Sequence, residues 1–177
     1  MRALVVFESM FGNTQGIAEA ICDGLSSRAS VEMKDVGTAP TVLDDVQLVV
    51  VGGPTQGFGM SRPGTRQGAA KQSTSGLVSS GIGMREWLGS VQRGRESVAA
   101  AAFDTRFKKP SWLTGSAARG AEKQLRELGF QRIAPAESFF VTGTTGPLLD
   151  GELERARRWG EELASRLDAS EPDLRAS

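Results

Sequence analysis

Short apolar runs alternate along the chain with longer segments in which apolar residues recur every three or four positions. The runs have the length and β-branched content of strands, and the spaced pattern is typical of amphipathic helices. Strands are predicted at residues 3–7, 31–35, 48–52, 98–103 and 137–141, with an earlier piece of the last strand at 130–134. Helices are predicted at residues 14–27, 84–91, 116–128 and 150–167, with a short helix within 62–71. This alternation predicts a parallel sheet with helices on both faces.

Two of the predicted strands indicate how the sheet is covered. Residues 4–6 and 48–51 are continuously apolar instead of alternating with polar positions, which indicates strands buried on both faces. Because parallel crossovers are right-handed, we expect a doubly wound α/β fold with five strands. The length of 177 residues predicts a single domain, which we assign to residues 1–168.

Two segments depart from this pattern. Residues 169–177 lose the helical spacing, so we predict a flexible C-terminal tail there. Residues 61–80 contain Pro63, several glycines and a cluster of Ser and Thr, with little that would enter a core. We expect a short helix followed by a mobile connection, which acts either as a lid or only as a linker.

The composition excludes several kinds of chemistry. The chain has no His and no Tyr, so serine or cysteine catalysis through an imidazole base and zinc sites built on His are excluded. Cys22 lies among apolar residues of a predicted helix, where a packed small side chain is expected. We therefore predict no catalytic side chain and no metal site, and we expect a bound cofactor to carry any redox chemistry.

Charge and hydropathy restrict the partners and the compartment. Lys plus Arg equal Asp plus Glu at 21 each, which gives no general argument for binding nucleic acid. No run approaches the roughly 18 apolar residues needed to cross a bilayer, so we expect no membrane insertion. The N-terminus has one Arg before the first strand-like run and no small-residue cleavage site, so we expect a cytoplasmic protein.

The turn after the first predicted strand has the features of an anion site. An apolar strand passes directly into Ser9, Gly12, Asn13 and Thr14 and then into a helix with an apolar stripe. The first turn of a helix presents unpaired N–H groups and the positive end of the helix dipole, a combination that binds phosphate. The alternative is an ordinary corner between strand and helix, with Asn13 as the helix N-cap.

Three loops are expected to meet at the carboxyl edge of the sheet, where open α/β sheets bind ligands. The first contains the polar turn just described. The second runs from residue 53 to 60 and offers glycines and an apolar slot, with Phe58 and Met60 able to lie on a flat ring. The third runs from residue 104 to 112 and supplies a polar edge that ends in Trp112.

This combination resembles the flavodoxin-like family of FMN-binding proteins over nearly the whole chain. Ser9-x-x-Gly-Asn-Thr14 resembles the family's phosphate loop, and Gly52-Gly-Pro-Thr55 followed by Gly57 resembles its second flavin loop. The resemblance implies FMN as cofactor and a three-layer α/β/α fold with the sheet order 2-1-3-4-5. It places the phosphate loop residues at the FMN phosphate and the other two loops at the isoalloxazine ring. The residues implied at the cofactor are Ser9, Met10, Phe11, Gly12, Asn13 and Thr14, then Pro54, Thr55, Gln56, Gly57, Phe58 and Gly59, and finally Asp104, Thr105 and Arg106.

The sequence departs from the family pattern at two aromatic positions. Phe11 stands where many family members have a hydroxyl residue. Phe58 is the only aromatic residue of the second loop, where familiar members place Trp or Tyr against the ring. Stacking on one side only and contact by Met60 or Trp112 stay open as alternatives.

Basic residues lie in or beside the proposed site, whereas classical members of the family are strongly acidic. Positive charge there favours an anionic partner, so we expect a redox partner protein or a small anionic acceptor. The alternative is that these side chains are solvated and point elsewhere. The residues concerned are Arg62, Arg66, Arg106, Lys108 and Lys109.

The leading function is an FMN-binding, flavodoxin-like electron-transfer protein. One alternative is an FMN-dependent oxidoreductase that acts on a quinone-like or porphyrinogen-like substrate, and another is a non-catalytic module that stores or senses flavin. A receiver-type signalling domain of similar topology is disfavoured. It needs an acidic cluster at the first strand end and a Lys after the fifth strand, whereas Glu8 stands alone and residues 142–147 contain no Lys.

Overall fold

A computed structural model describes residues 1–93 and 97–174 of the chain. The strands are β1 (Arg2–Phe7), β2 (Ser30–Asp35), β3 (Val42–Leu43), β4 (Leu48–Pro54), β5 (Gln92–Arg93), β6 (Ala99–Phe107), β7 (Gln131–Arg132) and β8 (Glu137–Val141). The helices are α1 (Asn13–Leu25), α2 (Pro63–Gln72), α3 (Met84–Ser90), α4 (Ser111–Thr114), α5 (Ala117–Glu127) and α6 (Glu152–Leu174).

The main sheet is parallel, and its strand order confirms the predicted doubly wound topology. Its path is β2-β1-β4-β6, and β7 and β8 both pair with the outer edge of β6. β7 pairs with the start of β6 at Ala99 and Ala100, and β8 pairs with its end from Phe103 to Phe107. β7 and β8 therefore act as one interrupted strand, and the five positions follow the order 2-1-3-4-5. β3 and β5 form a separate two-stranded parallel sheet.

Helices cover both faces of the main sheet, because successive residues of a strand point to opposite sides. On one face Val5 belongs to a buried cluster with residues of α1 and α6, such as Ile21 and Leu163. On the other face Leu4 belongs to a cluster with residues of α3 and α5, such as Trp87. The continuous apolar run of β1 is thus explained by burial on both sides, as predicted.

Two glycines allow α1 and α6 to pack closely. A Cβ atom built on Gly24 would lie 2.1 Å from the main-chain oxygen of Arg157, and one built on Gly160 would lie 2.4 Å from that of Ile21. Real Cβ atoms do not approach a carbonyl oxygen so closely, so only glycine permits this helix spacing. The contact fixes α1, and with it the turn at its N-terminal end.

Several predicted boundaries change in the structure. β6 continues to Phe107, four residues beyond the predicted end, and α6 is helical to Leu174 instead of ending at residue 167. Most of the predicted C-terminal tail is therefore helical, and residues 175–177 lie outside the described residues. The pattern also missed β3, β5 and α4. No helix in residues 1–93 or 97–174 is both long and apolar enough to cross a membrane.

Replacing Gly24 with Ala is predicted to destabilise the protein by about 1–3 kcal/mol, because the new methyl group forces α1 and α6 apart. Urea denaturation measures the change in the free energy of unfolding. The matched control in the same helix is Gly16→Ala, whose Cβ would meet only Leu153 Cδ2 at 3.7 Å. That control is expected to be neutral or stabilising by up to about 1 kcal/mol. Equal effects of the two substitutions would contradict the close-packing interpretation.

Candidate functional site

A cleft opens at the carboxyl edge of the main sheet, between the loops that follow β1, β4, β6 and β8. It contains about 490 Å³ of open space, including its mouth. Its polar lining consists of hydroxyl, amide and guanidinium side chains, and its apolar lining includes two phenylalanines. The lining residues are Ser9, Met10, Phe11, Asn13, Thr14, Pro54, Thr55, Gln56, Thr105, Arg106, Phe107, Val141 and Thr144.

The β1–α1 loop brings the N-terminal end of α1 to the cleft. Gly12 is the N-cap, with a φ of 92° that favours glycine, so the alternative of Asn13 as N-cap is wrong. The Gly16 N–H donates to the Gly12 carbonyl at 2.9 Å. The N–H groups that precede Gly16 in the first turn have no carbonyl within the helix to bind. These groups and the helix dipole make this end of the cleft favourable for an anion.

The polar side chains of the same loop are held by protein groups. Ser9 Oγ accepts a hydrogen bond from the Gly12 N–H at 3.1 Å, and the Asn13 amide donates to the Thr145 carbonyl at 3.1 Å. The hydroxyls of Thr14 and Thr105 lie 2.7 Å apart and share a hydrogen bond. These side-chain contacts therefore fix the shape of the loop. Apart from the Gly12 N–H, the main-chain N–H groups of the turn remain available to bind a ligand.

The β4–α2 loop folds into a tight turn beside the cleft. The Gln56 N–H donates to the Gly59 carbonyl at 2.8 Å, and Gly59 returns a hydrogen bond at 3.2 Å. Phe58, at the tip, has a φ of 70° and is 72% exposed. Gln56 lines the cleft, and its Oε1 atom is buried with no hydrogen-bond partner among the described residues.

Asp104 is completely buried and faces the protein interior instead of the cleft. Its carboxylate accepts hydrogen bonds from Thr55 Oγ1 at 3.0 Å, from Ser116 Oγ at 2.6 Å and from the Ala118 N–H at 3.0 Å. It thereby joins the β4–α2 loop to the N-terminal end of α5. Thr105 and Arg106, which follow it in β6, both line the cleft.

The structure brings most of the sequence-predicted site residues to one cleft, but not all of them. Gly12, Gly57, Phe58, Gly59 and Asp104 lie beside it without lining it. Neither of the two alternative candidates for ring contact enters the lining: Met60 is buried in the core and Trp112 is 80% exposed.

Sequence reasoning missed three lining residues, Phe107, Val141 and Thr144. Phe107 and Val141 pair with each other at the ends of β6 and β8. The pairing of β6 with β8 could have identified Phe107 and Val141. The sequence did not show that pairing at these positions, because β6 was predicted to stop at residue 103.

The basic residues predicted at the rim divide into two groups. Arg66 is nearly buried and forms a 2.8 Å ion pair with Glu86, and Arg106 donates to Ser138 Oγ at 3.0 Å and lies 3.8 Å from Asp104 Oδ1. The other three are exposed, namely Arg62, Lys108 and Lys109. The expected basic rim is therefore smaller than the sequence indicated.

Residues 61–84, which we call the strap, are anchored to the end of β1. Glu8 is completely buried, and its carboxylate accepts hydrogen bonds from the Ser61 hydroxyl and, at 2.8 Å, from the Met84 N–H. These two residues are the first and last of the strap. Burial raises the pKa of Glu8 above its ordinary value, although these hydrogen bonds and the nearby Arg66 act in the opposite direction.

The strap also binds the main chain of the β1–α1 loop. The Val78 N–H donates to the Met10 carbonyl at 3.1 Å, and the Ser79 N–H donates to the Ser9 carbonyl at 2.8 Å. The segment predicted as a mobile connection is thus hydrogen-bonded at residue 61 and at residues 78–79. The strap lies against the β1–α1 loop at residues 78–79, and the choice between lid and linker stays a prediction.

Comparisons with known proteins agree with this geometry. The Flavodoxin family model matches residues 5–159. A flavodoxin from the domain Archaea shares 21% identity with a TM-score of 0.65, covering 95% of this chain and 99% of that one. Flavodoxin 1 from Bacillus cereus shares 19% identity with a TM-score of 0.65, covering 93% and 98%. The Flv1 flavodiiron core from Synechocystis sp. PCC6803 shares 17% identity with a TM-score of 0.62, covering 97% of this chain and 37% of that longer chain.

No curated protein sequence matches the chain. The family match covers most of its length, and the structural similarity independently supports the fold. The chain therefore belongs to the flavodoxin family, whose members bind flavin and transfer electrons to redox partner proteins.

Replacing Glu8 with Gln is predicted to change how stability depends on pH. Since the pKa of Glu8 is raised by folding, the folded protein retains a proton that the unfolded chain releases, and the free energy of unfolding falls as pH rises through that window. Gln cannot ionise, so the free energy of unfolding of the variant does not fall for this reason. Urea denaturation should therefore show the variant gaining stability relative to the wild type as the pH rises above the ordinary Glu pKa of 4.5.

The control for this prediction is Ser80→Ala, an exposed position that carries no ionisable group. Its stability difference from the wild type should stay nearly constant over the same pH range. Parallel profiles of stability against pH for Glu8→Gln and the wild type would show that burial does not raise the pKa of Glu8.

Proposed function

We propose that the cleft binds FMN and that the protein is an FMN-binding electron carrier. One observation carries the proposal. The same cleft joins the N-terminal end of α1, which favours an anion, to the buried Gln56 oxygen that lacks a partner. A phosphate at one end of a ligand and a ring N–H at the other would satisfy both, and FMN has both groups.

The residues present fit the two parts of FMN. The main-chain N–H groups at the start of α1 would hold the phosphate. Pro54, Phe107 and Val141 offer apolar surface to a planar ring, and Gln56 Oε1 offers it an acceptor. The open space of about 490 Å³ lies within the usual range for cofactor pockets, roughly 300–1,000 Å³.

The cleft favours an electron carrier over an enzyme that protonates its substrate. No carboxylate, thiol or amine is among its described lining residues. The two nearby carboxylates, Glu8 and Asp104, are completely buried and hydrogen-bonded away from it. FMN, when bound, would supply the redox chemistry, and the chain would bind it, orient it and exclude water.

Titration with FMN and with riboflavin, which lacks the phosphate, tests the proposal. We expect saturable FMN binding with quenched flavin fluorescence, and weaker binding of riboflavin. Gln56→Ala should weaken the binding of both ligands by about fivefold, because the ring loses one hydrogen bond of about 1 kcal/mol. Gln67→Ala on exposed α2 is the matched control and should change neither affinity. A folded wild-type protein that shows no saturation with FMN would refute the proposal.

The charge distribution around the cleft supports a negatively charged electron acceptor. Arg66 and Arg106 are paired with Glu86 and Asp104, whereas Arg62, Lys108 and Lys109 are exposed, although the whole chain has no net charge. Lys108 and Lys109 are exposed, and so are two large side chains, Phe58 in the β4–α2 loop and Trp112 in α4. We propose that an anionic partner docks here, with the aromatic residues as anchors and the lysines as its electrostatic guide.

Oxidation of the photoreduced, FMN-loaded protein tests the proposed partner charge. The oxidant is ferricyanide in one reaction and hexaammineruthenium(III) in the other. In both reactions one reduced FMN reduces two oxidant ions by one electron each. At low ionic strength K108E/K109E should slow the reaction with ferricyanide about tenfold and speed that with the ruthenium cation. The matched control is R2E/R28E, at the amino end of β1 and after α1, which should change both rates much less.

Two outcomes of this experiment would count against the proposals. Equal effects of the two charge-reversing pairs would mean that overall charge, and not the rim, sets the rate. A loaded protein that gives electrons to neither oxidant would favour the alternative of a flavin storage or sensing module.

A further inference from the structure

Ser79 makes a paired contact with Ser9, seventy positions earlier in the chain. Ser79 is 1% exposed. Its N–H donates to the Ser9 carbonyl at 2.8 Å, and its hydroxyl oxygen accepts from the Ser9 N–H at 2.8 Å. The same hydroxyl donates its proton to the Asp35 carboxylate at the end of β2. Both main-chain groups of Ser9 are therefore bound by one residue, which is itself fixed by a second strand.

This contact determines which way the next two peptide groups face. A trans peptide is planar, and its carbonyl and N–H point in opposite directions. The strap holds the carbonyls of Ser9 and Met10 through the N–H groups of Ser79 and Val78. The N–H groups of Met10 and Phe11 belong to those two peptides, so they point away from the strap. Both residues line the cleft, whose described lining contains no residue of the strap.

Successive N–H groups that face one side form a concave seat for an anion. If either peptide rotated, a carbonyl oxygen would replace an N–H donor, and it would repel a phosphate. The orientation of these peptides is important because the side chains of Ser9, Asn13 and Thr14 are hydrogen-bonded to other protein groups. Phe11 brings no hydroxyl to compensate. Main-chain donors must then provide most of the hydrogen bonds to an anion.

We propose that Ser79 is a positioning residue for the phosphate seat. It holds the Ser9 and Met10 carbonyls outward, so that the N–H groups of Met10 and Phe11 face the anion. The inference rests on the proposed binding of FMN and adds to it a residue of the strap, which lies outside all three cofactor loops. Its expected signature is an effect on the phosphate part of the ligand and not on the ring.

The test compares two affinities of one variant. Ser79→Ala removes the hydroxyl bonds to Ser9 and Asp35 and keeps the Ser79 N–H. We expect FMN to bind about tenfold more weakly, while the affinity for riboflavin changes by less than about twofold. Ser80→Ala, an exposed neighbour, is the matched control and should leave both affinities unchanged. An unchanged affinity for FMN, or equal losses for FMN and riboflavin, would overturn the inference.

A measurement on the ligand-free protein gives an independent readout. Titration of the wild type with inorganic phosphate should shift the amide NMR signals of Met10 and Phe11, and the midpoint should rise in Ser79→Ala. If that variant does not fold, Asp35→Asn weakens the same anchor and should show a smaller rise. Phosphate shifts confined to the first turn of α1 would overturn the inference. Failure of the wild type to bind FMN, with these two signals still shifting, would refute only the proposed cofactor.

Discussion

Glu8 and Ser9 place polar groups at the end of a strand that is covered on both faces and paired on both edges, and this burial constrains the structure around the cleft. A buried polar group without a partner costs on the order of 1–3 kcal/mol, and a buried charge costs more. The partners come from the strap, through Ser61, Ser79 and Met84. The strap is therefore part of the support of the β1–α1 loop.

The long elements of the fold could be predicted because each carries an apolar pattern of sufficient length. β3 and β5 could not, since they pair through two residues each and no periodicity appears over so short a run. The end of β6 was hidden for another reason. Asp104 and Thr105 look like the start of a loop, but the structure keeps them in the strand, where the start of α5 binds Asp104 Oδ2 and the Thr14 hydroxyl binds that of Thr105.

The candidate site could be predicted at the level of loops and only partly at the level of side chains. Chain order and strand ends sufficed to bring the loops together. The individual polar groups depended on contacts between distant segments, such as Asn13 with Thr145. The Ser- and Thr-rich composition of residues 61–80 suggests mobility when it is taken alone. A carboxylate and a hydroxyl at the end of an apolar strand were the signal that such a segment must pack against them.

The division between main-chain and side-chain groups affects how charge is distributed at the cleft. Amide groups and a helix dipole can hold a phosphate without adding a Lys or Arg to its seat. The exposed Lys108 and Lys109 then remain available at the rim, where their field extends into solvent. Electrostatic steering depends on where charges lie and not on their sum, so a chain with no net charge can still orient an approaching partner. The proposed cofactor site and the proposed partner surface therefore use different groups, and a change in one need not alter the other.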